Sequence, residues 1–394
     1  MARIDPGLHR ELEKFGAVGV TACMNCGNCT ATCPQSTDNE VFPRRIIHFV
    51  QAGMADKLRG SVEPWLCYYC GDCSETCPRD ADPGESMMAV RRYLTGQYDW
   101  TGLGRWFYRS PAFQLTAMAL TSLAVILAFY FLHGPIVTDH VALDTFAPVE
   151  SIELVDRIGF VILAVLLLSN VVRMSAWILR SDSDHPVPFA LLVREFLTLP
   201  LHFFTQKKWL KCDADSEPAD KSLASRLAWM KSTRWVRHFF LVTGYLSMMI
   251  LVEGALPQFQ TDAIRPWFHW TRLLGYYATV MLMWHGGSFL LGRLRKSDPI
   301  HKYSTPSDWA FLVLLFSVAL TGILVHIFRL SGLPMATYVT YVIHLAVVAP
   351  FLVIQVPFGK WSHMAYRPMG VYLAKVKQSA REKLDAATGE LAPA

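Results

Sequence analysis

Eight cysteines fall into two runs of the same spacing. Cys23, Cys26, Cys29 and Cys33 precede Pro34, and Cys67, Cys70, Cys73 and Cys77 precede Pro78, so each run reads C-x2-C-x2-C-x3-C-P. Three thiolates at this spacing wrap onto one face of an iron–sulfur cubane, and the fourth ligand must come from elsewhere in the chain. The chemistry implied is one-electron transfer. A structural zinc site would favour two C-x2–4-C pairs separated by a long loop, with no need for a third cysteine three residues on. The N-terminal stretch MARIDPGLHRELEKFG is charged and polar, unlike a cleavable secretory signal, which argues for reduced thiolates in the cytosol over a disulfide framework.

Where two cubanes share one small domain, the last cysteine of each run reaches across to the other cluster and the following proline turns the chain away. Cys23, Cys26, Cys29 and Cys77 are therefore assigned to one [4Fe-4S] cluster, and Cys67, Cys70, Cys73 and Cys33 to the other. The two runs form an internal repeat, so near two-fold symmetry of the pair is expected. Cys212, in KKWLKCD, has no partner cysteine and reads as a plain thiol.

The elements that hold these loops differ between the two parts of the chain. Residues 1–98 read as a small helical ferredoxin-type domain, with short helices at 42–53 and 85–95 bracing the cysteine loops. Residues 99–112, DWTGLGRWFYRSPA, have the aromatic and basic composition of a membrane-interface linker and hinge. Beyond them the chain turns strongly apolar: 52% of all residues are hydrophobic and only 18% charged, too apolar for an ordinary soluble protein. Six stretches are long enough to cross a hydrocarbon core: 113–133, 158–179, 238–256, 268–291, 309–328 and 338–358. Segments 180–237, 292–307 and 360–394 hold 10, 4 and 6 Lys or Arg, while the alternate loops hold only Arg157, Arg265 and Arg329. This bias places both termini in the cytoplasm. The net charge of +5 accompanies no nucleic-acid-binding signature. Residues 187–205 are apolar but broken by Pro200, as in a segment lying flat on the inner leaflet, and 375–394 read as a frayed helix and polar tail.

Ionisable side chains inside a bilayer need a reason, and histidines supply it here. His238 lies at the inner start of the third span, His269 and His285 near the outer and inner ends of the fourth, and His326 at the outer end of the fifth. His344 lies in the outer half of the sixth span and His363 at its inner mouth. A helical bundle holds haem b between facing imidazoles. His344 and His363, about 28 Å apart along an ideal helix, suit one ligand at each level, with Pro350 and Pro357 available to correct a phase difference of about 100°. His269 and His285 differ in phase by about 160°, so they do not both face one interior. The assignment is an inner haem on His238 and His363 and an outer haem on His269 and His344, with His285 an alternative to His238 and His326 an alternative to His269. Arg234, Arg237, Lys360 and Arg367 at the inner level, and Arg265, Arg272 and Arg329 at the outer, are candidates to pair with propionates or to anchor the interface. Glu253 is the candidate acceptor of a quinol proton, with an ion pair to Arg272 or Arg329 as the plainer role.

The chain resembles a fusion of two heterodisulfide-reductase-type subunits, a two-cluster protein joined to a dihaem cytochrome of the nitrate-reductase gamma type. That order is similar to the C-subunit family of quinone-interacting membrane-bound oxidoreductase (Qmo) complexes. The resemblance rests on the two cysteine runs, KKWLKC ahead of His238, HWTRLL from His269, SDW with Thr321-Gly322, and the YVIHL and PFGKWSHMAYR elements carrying His344 and His363. It implies an all-α protein, an N-terminal ferredoxin-like domain followed by a six-helix transmembrane cytochrome b bundle. It further implies exchange of electrons between menaquinone and soluble flavin and iron–sulfur subunits, linked to adenylylsulfate reductase in dissimilatory sulfur metabolism. One departure is Met248, where gamma subunits carry a second histidine ten residues after the first. The alternatives are a sulfite-reduction-linked or heterodisulfide reductase complex and, from another class, a redox-sensing transporter or proton channel.

Overall fold

Helices account for all the regular structure among the described residues, which in this computed structural model are 4–38, 40–181, 186–213, 222, 223, 225 and 233–388. Eight helices carry the architecture. α1 (Pro83–Tyr98) is the long helix of the N-terminal region. It is followed by α2 (Pro111–Leu132), α3 (Val149–Arg180), α4 (Arg234–Phe259), α5 (Trp270–Arg295), α6 (Pro306–Leu330), α7 (Pro334–Pro350) and α8 (His363–Thr388). The part of the polar tail beyond residue 388 and the stretch 214–221 lie outside the described residues.

Local sequence sets the helix starts. Ser110 accepts the Phe113 amide at 3.2 Å ahead of Pro111, and Thr233 accepts that of Val236 at 3.4 Å. These are side-chain caps for donors with no partner inside the helix. At the start of α6, the Asp308 carboxylate accepts the Thr305 amide at 3.1 Å, with Pro306 in the first turn. α7 ends at Pro350, whose ring removes a donor and crowds the preceding turn. A wide π-turn, Phe351–Gln355, follows, then a short 3-10 turn, Lys360–Ser362, before His363 opens α8.

α4 packs along α5, α5 along α6, α6 along α7, and α7 along α2, while α3 joins α4 and α8. α2, α3, α4, α6 and the unit Pro334–Gln355 are long and apolar enough to cross a membrane. The expected span 268–291 forms α5, which is as long but less apolar, with Arg272, Tyr276, Tyr277, His285 and Ser288 along it. The outward faces are greasy: Leu120, Phe131 and Val172 are 60–73% exposed. Apolar surface on this scale marks contact with lipid. The protein is thus a multi-pass membrane protein.

The N-terminal region is built into this bundle. Residues 99–112, read from sequence as a linker, contain the helix Leu103–Arg109 packed on α1 and α2. Trp65, Tyr98, Trp177 and Tyr366 form one aromatic core drawn from both parts, with Trp65 and Tyr366 centroids 4.9 Å apart. Beneath it, Arg92 of α1 bonds Glu85 at 2.9 Å and Asp308 of α6 at 3.3 Å, and Asp308 also bonds Lys360. The stretch 187–205 forms two short helices, Phe189–Arg194 and Thr198–Thr205, laid against α8.

Candidate functional site: two thiolate cavities and a histidine pair

The cysteine runs fold alike. In the first, Asn25 and Gly27 have φ of 56° and 92°, and in the second the equivalent Tyr69 and Gly71 have 57° and 105°. Left-handed residues on either side of Cys26 and of Cys70 turn backbone amides inward, and glycine accepts that geometry without strain. The Asn25 amide points to Cys23 Sγ at 3.5 Å and the Tyr69 amide to Cys67 Sγ at 3.4 Å. After each glycine a short helix begins, Asn28–Thr32 or Asp72–Glu75, carrying buried Cys29 or Cys73. The two helices pack on one another, with Asn28 Nδ2 donating to the Thr76 carbonyl at 2.5 Å.

That packing carries the last cysteine of each run across. One cavity is lined by Cys23, Cys26, Cys29 and Cys77, and the other by Cys67, Cys70, Cys73 and Cys33. Cys212 also lines the second cavity, with Gln35 Nε2 donating to its sulfur at 3.3 Å. Its S–H lies within hydrogen-bond reach of Cys70 and draws the Cys70 thiol pKa down. Sequence separation hid this neighbour, and no spacing rule could have found it. Among the described residues, no three His, Cys, Asp or Glu side chains converge on one point as the ligands of a single ion would.

The electrostatics of each set call for a cationic core. Burial, then the charges of Cys67 and Cys70, push the Cys33 thiol up to about 12; burial and neighbouring sulfurs also raise Cys29 and Cys73. Four thiolates crowded this way repel one another unless metal neutralises them. Around the second set stand three guanidinium groups: Arg234 donates to the Cys70 carbonyl at 3.0 Å, Arg367 to that of Cys67 at 3.1 Å, and Arg91 also to that of Cys67. Burial and then Arg367 draw Arg91 down to about 9. Cations so placed suit a cluster whose thiolate shell leaves it anionic. Arg234 and Arg367, inner-level candidates for propionates, thus serve the cysteine loop.

The histidines fall into different settings. The rings of His238 of α4 and His363 of α8 meet edge to face, with centroids 6.1 Å apart and planes inclined at 60°. His238 Nδ1 bonds Gln206 Oε1 at 2.7 Å, and His363 Nδ1 bonds the Lys360 carbonyl. Among the described residues no hydrogen-bond partner meets either Nε2. Two imidazoles sharing one metal ion through bonds of about 2 Å stand about 6 Å apart between centroids, and each typically gives its other nitrogen to a protein acceptor. The pair therefore fits a bis-imidazole site.

The outer histidines are not joined in this way. His344 Nδ1 meets Thr321 Oγ1 at 2.9 Å, and His269, capping α5, meets Thr271 Oγ1 at 2.8 Å; among the described residues no ring contact links the two. His326 Nε2 is taken by Tyr276 OH at 2.9 Å, while His285 stacks on Phe240 with its Nδ1 buried and unpartnered. Arg272 spends its donors on Tyr276 and the Arg265 carbonyl, and Arg329 on the Phe259, Thr261 and Ala263 carbonyls. Glu253 forms no ion pair with either.

The fold and the cysteine loops together define a class: an all-helical, multi-pass membrane protein with an N-terminal iron–sulfur domain. Residues 22–81 match the family model of the 4Fe-4S dicluster domain, which supports [4Fe-4S] clusters. A protein of Archaeoglobus profundus, described as like the C subunit of heterodisulfide reductase, is 34% identical over 88 residues, 22% of this chain and 47% of that protein. The chain therefore spans about half the length of that relative. No solved structure matches it.

Proposed function

We propose that the chain is a membrane electron-transfer subunit of a quinone-dependent oxidoreductase complex. The observation that carries this reading is the His238–His363 ring pair joined through Trp209 to Tyr68, which lines the second thiolate cavity. In this reading Cys23, Cys26, Cys29 and Cys77 hold one [4Fe-4S] cluster, and Cys67, Cys70, Cys73 and Cys33 the other. His238 and His363 hold an inner haem b, and His344 with His269 an outer one, within six crossings that leave both termini in the cytoplasm. Bound clusters and haems supply reversible one-electron carriers, which split two-electron quinol chemistry into single steps.

The protein's own residues do the rest. Gln206 and the Lys360 carbonyl hold the two imidazoles in orientation, and Thr321 does the same for His344. Arg91, Arg234 and Arg367 keep positive charge at the second loop. Glu253, ion-paired to neither Arg272 nor Arg329, is the acceptor for a proton released by menaquinol. Soluble flavin and iron–sulfur subunits are the partners, and the resemblance to the Qmo C-subunit family links them to adenylylsulfate reductase. The heterodisulfide reductase name of the relative favours a second reading, a membrane subunit of such a complex; the subunits that co-purify from native membranes distinguish the two.

Iron and haem analysis of the purified chain tests the core of the proposal, which expects about eight cluster irons and two haems. A reduced-minus-oxidised optical spectrum without a b-type signal refutes it and favours the redox-sensing transporter or channel.

A further inference from the structure

One seven-residue segment, 206–212, touches both redox sites. At its start, Gln206, buried and with φ of 50°, bonds His238 Nδ1 at 2.7 Å. The Lys208 carbonyl accepts from Gln35, two residues past Cys33, at 2.7 Å. At its end, Cys212 lines the second cysteine cavity. Between them Trp209 lies with its ring centroid 4.8 Å from that of His238 and 5.3 Å from that of Tyr68, the residue that follows Cys67 in the chain. Arg367 sits over both rings, 4.5 Å from the centroid of Tyr68 and 5.8 Å from that of Trp209. It is one helical turn beyond His363 on the same face of α8, and it donates to the Cys67 carbonyl at 3.1 Å. The Tyr68 hydroxyl meets His202 Nε2 at 3.1 Å, which fixes the far side of the phenol ring.

These contacts form an unbroken series of packed groups: Cys67, Tyr68, Trp209, His238, His363. Among the described residues the first cavity has no comparable neighbour. Its rim includes exposed Cys26 and Met24, the latter 60% exposed, together with Arg44 and Arg79.

Resting on the functional reading above, we propose that Tyr68 and Trp209 are the electronic bridge between the two halves of the protein. The Cys67, Cys70, Cys73 and Cys33 set is then the membrane-proximal carrier site, and the Cys23, Cys26, Cys29 and Cys77 set is the one that meets a soluble partner. One electron leaves the carrier held by the second cysteine set and one arrives at the carrier held by the histidine pair, or the reverse. No bond or proton changes on either ring. Tyr68 and Trp209 fill with polarisable matter a gap the electron would otherwise cross through space, and Arg367 positions them.

The test uses the full chain in detergent, with clusters reduced by a flash-photoreduced deazaflavin and the haem followed by absorbance. Trp209→Leu and Tyr68→Leu are expected to lose the fast phase of cluster-to-haem exchange, while Trp209→Phe and Tyr68→Phe retain it. Iron content, haem content and equilibrium potentials are measured on every variant, because a merely structural role would move those and would not be rescued by ring identity. Trp106→Leu, at an exposed position away from the series, is expected to behave as wild type. If both leucine variants exchange at the wild-type rate with a full cofactor complement, the bridge is refuted. If Trp209→Leu loses haem, Tyr68→Leu against Tyr68→Phe decides the question. A wild-type chain with clusters but no haem instead refutes the functional reading itself, a result the cofactor analysis registers ahead of the rate measurements.

Discussion

Replacing Asp308 by Asn should loosen the joint between the iron–sulfur region and the membrane helices. Asp308, Arg92 and Glu85 are 5%, 9% and 2% exposed, so the change leaves a buried guanidinium with one carboxylate where it had two. Removing one partner of a buried ion pair costs about 3–5 kcal/mol. Arg92 keeps Glu85 and the Phe15 carbonyl, each at 2.9 Å, and the Lys360 side chain is 37% exposed and regains water, so the lower end, about 3 kcal/mol, applies here. For a 394-residue chain melting as one unit, an unfolding entropy of about 2.1 cal/mol/K per residue turns this into a drop of about 4 °C in Tm. Differential scanning fluorimetry in detergent measures it. Asp308→Asn combined with Arg92→Gln should cost less than the sum of the two single changes, since the Arg92–Asp308 contact is then lost once and neither change strands the other's charge. A wild-type Tm for Asp308→Asn, or strict additivity in the double variant, refutes the claim that this network holds the two parts together.

Cys212→Ala should lower the reduction potential of the second cluster while leaving iron content unchanged, because a hydrogen bond to the Cys70 sulfur is lost. An EPR redox titration reads the shift, and loss of the cluster would make Cys212 a ligand instead. Gly322→Val should disturb the proposed outer haem alone: a Cβ at Gly322 already falls 3.2 Å from His344 Cε1, and a branched side chain displaces the ring from Thr321. A stepped optical titration should then lose or shift one of two b-type components; two unaltered components contradict the placement of His344.

Residues that act through local spacing are legible in the amino-acid sequence alone. The two cysteine runs predict loops, short helices and crossed cavities because ligand geometry over ten residues leaves the backbone few choices. Apolar length likewise announces the long helices, except that α5 is less apolar than its neighbours. The proline-broken stretch expected between His344 and His363 has a structural counterpart in the π-turn after Pro350, and His238 and His363, placed by sequence at the same end of the bundle, have rings 6.1 Å apart. What spacing could not supply is anything set by distant packing. Asp308 stands in the SDW motif at the entry to a span, and only the tertiary fold makes it the partner of Arg92. Cys212 reads as a lone thiol, and only the fold sets Trp209, in the same KKWLKC segment, between Tyr68 and His238.

The same packing argues against a loosely tethered redox domain. Two carriers joined by a flexible linker would exchange electrons at a rate set by how often they meet. Here the aromatic core of Trp65, Tyr98, Trp177 and Tyr366, the Arg92–Asp308 network and the arginines on the second cysteine loop all cross the same boundary. Each is buried or half-buried, so sliding one part past the other would strand charges and open voids together. The separation between the second cavity and the histidine pair is therefore a fixed property of the fold. The exposed rim at the first cavity, by contrast, would let the proposed soluble partner engage and release without disturbing that inner spacing.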